Sequence, residues 1–145
     1  MKTVKEISIE LENKPGILSA ISDLLAAEGI VILGLTARPQ GQTGTVSFVA
    51  TDPVRVAAIL DSAGYKPSVK EIIAAEAPLH PGGFNAILKA LKQANVNVEY
   101  LYTCFNSHFT GNRVVMLLSV NDLAAAHEAL EQEWIRLYGE ELYSL

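Results

Sequence analysis

The chain has 145 residues, half of them hydrophobic and only 19% charged, so it carries apolar material for a sizeable core and lacks the composition of a disordered segment. Its formal net charge of -5 has the wrong sign for a protein that neutralises phosphates, which argues against nucleic acid as a partner. The lone cysteine, Cys104, supplies neither an intramolecular disulfide nor a multi-cysteine metal site, and no run approaches the ~18 to 20 apolar residues that span a bilayer.

From Val4 to Leu11, the residues Val4, Ile7, Ile9 and Leu11 alternate with Lys5, Glu6, Ser8 and Glu10, the pattern of a half-buried strand. Charges inside this opening leave no uninterrupted stretch of signal-peptide type, so a soluble cytoplasmic protein is expected. Pro15 and Gly16 break the strand. Ile17, Leu18, Ile21, Leu24 and Leu25 then recur at helical spacing, and Gly29 is placed to close that helix in a left-handed conformation. Ile30 to Ala37 reads as a second strand and Arg38 to Gly44 as a turn. Val46, Phe48 and Ala50 form the returning strand of a hairpin. Asp52-Pro53 starts another helix, since the carboxylate accepts orphan amides and proline has none to waste; that helix ends near Gly64.

The same order then recurs. Lys70 to Ala77 is a strand, Gly83 to Asn95 a helix and Val96 to Cys104 a strand. A hairpin tip covers Asn106 to Arg113, Asn121-Asp122 opens the last helix, and Leu142 to Leu145 is expected to add a terminal strand. Aligning Pro15-Gly16 with Pro81-Gly82 fixes an offset of 66 and brings Ile7 onto Ile73, Glu10 onto Glu76, Ile21 onto Ile87 and Leu25 onto Leu91. The offset grows to 70 between Asp52 and Asp122, so the second hairpin is four residues longer.

Each half thus has the order βαββαβ, the ferredoxin-like arrangement in which two helices lie on one face of an antiparallel sheet. The expected fold is α+β, with tandem units over 1–69 and 70–145 whose sheets pack side by side, the short Tyr65 to Lys70 connection being stiffened by Pro67.

The run Asn13-Lys14-Pro15-Gly16-Ile17-Leu18, set between a strand and a helix and echoed by His80-Pro81-Gly82-Gly83-Phe84, resembles the signature loop of ACT domains. The resemblance covers essentially the whole chain, twice, and is to the stand-alone type built of two ACT units. It implies allosteric binding of a free amino acid rather than catalysis, with no cofactor. Physically, Gly16 permits close backbone approach, and the first helical amides offer a carboxylate the positive end of the helix dipole.

In the family's amino-acid-binding pairs, one asparagine precedes Pro-Gly and another lies early in the strand after the helix, from opposite units. Here the first is Asn13, replaced by Leu79 in the second copy, and the other is Asn97, replaced by Val31 in the first. The resemblance therefore implies one working site formed by Asn13, Lys14, Pro15, Gly16, Ile17 and Leu18 with Asn97, Val98 and Glu99, and one degenerate loop at His80 to Phe84. A histidine that some members carry two residues before the asparagine is Leu11 here and Ala77 in the second copy, a departure that counts against serine and leaves a larger or apolar amino acid open.

Plainer readings stand beside these. Asn13 and Gly16 suit a turn and cap, and Asn97 a turn residue. Cys104 with His108 lacks a third orienting group, so no catalytic residue is assigned, and His80, His108 and His127 have no metal-ligand spacing. Tyr100 and Tyr102 share one strand face, where interface packing is the common use of such a pair. The Gly41 to Gly44 stretch lacks the residues of a phosphate-cradling loop. The expected partners are a free amino acid and a second copy of the chain. The alternative is docking to an amino-acid biosynthetic enzyme, as the small subunit of acetolactate synthase does.

Overall fold

The computed structural model describes residues 1–105 and 111–144. Most of the expected hairpin tip, His108 with it, and the final residue Leu145 lie outside the described residues. Two compact units form among them: Lys5 to Lys70 makes one, and the residues from Glu71 onward, joined by Met1 to Val4, make the other.

The first unit runs β1 (Val4–Glu12), α1 (Ile17–Ala26), β2 (Ile32–Gln40), β3 (Thr43–Ala50) and α2 (Pro53–Ser62), and it ends in the opening residues of β4 (Ser68–Pro78). β3 pairs antiparallel with both β1 and β2. Ile21 and Leu25 of α1, with Val56 and Leu60 of α2, pack on Ile7, Ile9 and Phe48, and each such fully buried side chain contributes roughly 1.5–3 kcal/mol. The second unit continues from β4 through α3 (Gly83–Gln93), β5 (Val98–Cys104), β6 (Arg113–Val120), α4 (Leu123–Gln132), β7 (Leu137–Tyr138) and a closing 3-10 turn, Glu140–Ser144. Its strands lie in the order β5-β6-β4-β7, the ferredoxin-like order. Ile87 and Leu91 of α3 and Leu130 of α4 cover Ile73, Ala75 and Leu118. The fold is α+β, two repeats of βαββαβ.

The four α-helices among the described residues close alike. Ile30, Tyr65, Val96 and Ile135 each return an amide to the carbonyl five residues back, through a left-handed residue at Gly29, Gly64, Asn95 and Trp134. Asp52 and Asp122 cap α2 and α4 by accepting from the amides of Arg55 and Ala125, while no side chain caps α1 or α3.

Two expectations are corrected. The first hairpin turns on Gly41 and Gln42 alone, and its strand runs on through Arg38, Pro39 and Gln40. Pro39 is tolerated because β2 is an end strand, where a missing amide costs no ladder bond. The terminal strand is not Leu142 to Leu145: residues 142–144 belong to the 3-10 turn, and the pairing strand is Leu137–Tyr138, opposite Ala75 and Ala74. No helix among the described residues is long and apolar enough to cross a membrane.

Candidate functional site

Across the three strands of the first unit, register places residues in rows. Ile9, Val46 and Ala37 form one row, and Leu11, Gly44 and Pro39 form the next. Side chains in a row share a face, so Gly44 leaves a gap between Leu11 and Pro39 on the side that α1 covers. Ile17 and Leu18, at the start of α1, border that gap. The result is a largely apolar cleft of about 150 Å³, rimmed by Glu12, Asn13 and Lys14.

The rim is held by backbone. The Asn13 amide donates to the Gln42 carbonyl at 2.8 Å, tying the loop after β1 to the hairpin turn, and Lys14 N–H donates to Glu12 C=O at 3.1 Å. Lys14 Nζ lies 2.9 Å from the Glu12 carboxylate. The Asn13 side-chain amide reaches Gly41 C=O at only 3.4 Å, a weak bond. Asn13 does not cap α1; Gly16, at φ 89, occupies the cap position and offers no side chain. The first amides of α1 therefore have no side-chain partner beside the cleft, the setting in which a helix N-terminus accepts an anion. Leu18 remains 46% exposed, an apolar side chain with room for a neighbour.

Residues 5–63, which contain this cleft, match the family model described as ACT domain. The chain contains an ACT domain. A search of curated proteins finds no sequence match. Among solved structures the chain is similar to protein BT0572 from Bacteroides thetaiotaomicron, with 24% identity over 99% of this chain and 97% of that one and a TM-score of 0.89. It is also similar to the regulatory subunit of aspartate kinase from Thermus thermophilus in its ligand-free form, at 16% identity, 92% and 94% coverage and a TM-score of 0.64. The corresponding subunit from Thermus flavus gives 16% identity, 92% and 94% coverage and a TM-score of 0.59. At these identities the likeness is one of fold.

The second ACT-like unit repeats the rows with different residues. Ala77 pairs with Val114 where Leu11 pairs with Gly44, and Ala75 with Met116 where Ile9 pairs with Val46. A valine thus stands at the position of the gap. Ile17 is matched by Gly83, whose place admits no side chain, because a Cβ there would lie 2.0 Å from the Pro78 carbonyl oxygen. In the same loop the Pro81 carbonyl lies 2.9 Å from His80 Nδ1, Gly82 is left-handed at φ 86, and Leu79 and Phe84 are exposed.

Of the residues expected at the site, Asn13, Lys14, Ile17 and Leu18 line one cleft, with Pro15 and Gly16 forming the exposed bend between them. Asn97 and Val98 line a separate shallow hollow beside Leu88 and Leu91 of α3. Asn97 is engaged through its backbone, its N–H donating to Asn121 Oδ1 at 2.8 Å and its C=O accepting from Asn121 N–H at 3.1 Å. The Glu99 carboxylate accepts from Ser119 Oγ at 2.9 Å.

Sequence reading missed Ala37, Pro39, Gly44 and Val46, the sheet side of the cleft. The available signal was the swap of Gly44 for Val114 in the repeat, hidden by the longer second hairpin. Arg38 and Thr45 also line the cleft, although alternation turns them toward the other side of the strands, where the Arg38 guanidinium donates to Ser47 Oγ at 3.0 Å. Ser47 Oγ lies 2.7 Å from Ser8 Oγ in turn.

Cys104 is buried, and burial pushes its thiol up to about 11, the opposite of the shift that activates a nucleophile. Tyr100 and Tyr102 stack with centroids 6.5 Å apart.

Proposed function

We propose that this chain is a regulatory protein that binds a free amino acid in its first ACT unit, at the loop from Asn13 to Leu18. The observation that carries the reading is the apolar cleft that opens beside an uncapped helix N-terminus: a carboxylate suits the α1 amides, and the rest of a small ligand suits the cleft. The match of residues 5–63 to the ACT domain model supports this reading of the loop as part of a ligand-binding regulatory unit. The halves 1–69 and 70–145 act as one module in this reading, with the first as the binding half. Binding regulates by linkage, shifting an equilibrium by the difference in affinity between its two states. A homodimer is part of the proposal, since β2 ends its sheet and an open strand edge favours pairing with a second copy.

A second reading is favoured by the fold likeness to aspartate kinase regulatory subunits over 92% of this chain: the protein docks to an amino-acid biosynthetic enzyme and controls it.

The test is a thermal-shift screen of the twenty amino acids followed by calorimetry, because a ligand that binds only the folded state stabilises it by RT ln(1 + [L]/Kd). The expected result is a hit whose affinity falls about tenfold in Asn13→Ala, with the melting curve of the free variant little changed. No shift at ~10 mM of any amino acid, together with a stoichiometric enzyme co-purifying from the native host, would replace the first reading by the second.

A further inference from the structure

The geometry points to the chemistry of the ligand side chain: the cleft at Gly44 is a specificity pocket for an apolar side chain no larger than a phenyl ring. This inference rests on the amino-acid reading of the first ACT unit and goes on to name the ligand class.

Leu11, Ile17, Leu18, Ala37, Pro39 and Val46 present hydrocarbon to the space that Gly44 leaves open. Of the charged residues that line the cleft, Glu12 and Lys14 lie 2.9 Å from each other and the Arg38 guanidinium donates to Ser47 Oγ at 3.0 Å. A polar or charged ligand side chain inside the cleft would give up its water and find no matching partner among those six residues, which is costly. An apolar one gains by leaving water. Size follows from volume: about 150 Å³ of largely apolar space is enough for benzene, so valine, leucine, isoleucine and phenylalanine match it, whereas an indole would extend through the open side of the cleft into solvent.

Gly44 sets the limit. A Cβ at that position would lie 3.2 Å from the Arg38 carbonyl oxygen and 3.4 Å from Pro39 Cα, on the side of the strand that borders the cleft, so a side chain there takes up cleft space and also presses on the β2 backbone. The second unit has that change in place, with Val114 at the matching position of the row.

Calorimetry on the full chain with leucine, valine, phenylalanine, alanine, serine, aspartate, lysine and tryptophan tests the inference, in the wild type and in two variants that fill the cleft. Gly44→Val copies the second unit. Ala37→Leu adds bulk from an exposed strand position, and its far-ultraviolet dichroism and melting curve confirm that it folds. The wild type is expected to take leucine, valine or phenylalanine at least tenfold more tightly than alanine, and tryptophan, serine, aspartate and lysine more weakly than these. Ala37→Leu is expected to weaken the best ligand at least tenfold, and Gly44→Val to do the same.

Serine, aspartate or lysine binding as tightly as leucine would overturn the inference while leaving the amino-acid reading in place. Leucine binding undiminished in a folded Ala37→Leu would also overturn it, by moving the side chain elsewhere. No binding of any of the eight at ~10 mM, on the order of the upper limit of weak ligand binding, would overturn this inference alone if another of the twenty amino acids binds, and together with the amino-acid reading if none does.

Discussion

Trp134 repeats the position of Gly64: each is the left-handed residue that ends its helix, Trp134 at φ 59 and Gly64 at φ 91, and each precedes the residue whose amide closes that helix. Glycine adopts this conformation without penalty, whereas a bulky L-residue pays roughly 1–2 kcal/mol for it. Trp134 is also 94% exposed, so little packing offsets that cost. Trp134→Gly is therefore expected to stabilise the chain by about 0.5–1 kcal/mol, the remainder being lost to the freer unfolded chain. Urea melts followed by circular dichroism check it; a variant less stable than wild type would show that the indole makes contacts worth more than its strain.

Adjacent glycines in the second loop should respond very differently to alanine. Gly82, at φ 86, meets nothing within 4 Å of a built Cβ, so Gly82→Ala carries only the left-handed penalty of roughly 1 kcal/mol. At Gly83 the same carbon would fall 2.0 Å from a backbone oxygen, that of Pro78, and backbone cannot rotate aside as a side chain does. Gly83→Ala is expected to cost at least about 2–3 kcal/mol or to shift the start of α3. Paired melts of the two variants decide the order, and equal losses would contradict the close approach at Pro78.

These contrasts show where sequence reading succeeds. Helices were legible because Ile21 and Leu25, or Ile87 and Leu91, recur at the helical period, and because Asp52, Asp122, Gly29 and Gly64 mark their ends by chemistry that acts locally. The end of β2 was not, since Pro39 reads as a turn until its strand is known to lie at the end of a sheet. Leu137–Tyr138 carries no period at two residues, and its pairing with Ala75 and Ala74 is a tertiary event. The loop half of the candidate site, Asn13 to Leu18, is contiguous and could be seen. The sheet half could not, because the row Leu11, Gly44, Pro39 exists only once three strands are in register.

His127 offers a test of the hydrogen bonding around its ring. It is 7% exposed, and its Nε2 accepts the Lys2 backbone N–H at 2.9 Å, so this nitrogen carries no proton. The proton sits on Nδ1, which faces the Glu131 carboxylate at 3.5 Å. Nitrogen chemical shifts of His127 at neutral pH should report the Nδ1–H tautomer. An Nε2–H tautomer at neutral pH would exclude the bond.

Alkaline pH should expose two buried acids of the second unit. Burial pushes the Cys104 thiol up from about 9.0 to about 11. Tyr138 is raised from 10.0 to about 12, first by burial and then by its hydroxyl donating to Glu76 Oε1 at 2.8 Å. That carboxylate also accepts from Arg113 Nη1 at 2.7 Å, which holds it in place. Both acids keep their protons more tightly in the folded chain than in the unfolded one. Their contribution to stability is therefore complete below about pH 9 and is lost as pH climbs through about 11 and about 12. For Cys104 the loss amounts to roughly 2–3 kcal/mol at about 1.4 kcal/mol for each tenfold change in proton affinity. Urea midpoints are expected to stay level between pH 7 and about pH 9 and then fall. Cys104→Ala should remove the first part of that fall and Tyr138→Phe the second, each at some cost in stability at neutral pH. In the folded wild type at pH 8, on the order of three pH steps below the thiol's midpoint, an aromatic disulfide reagent should react with Cys104 far more slowly than in urea. Equal rates would show that Cys104 is not buried as described, and midpoints that stay level to about pH 12 would show the same of both groups.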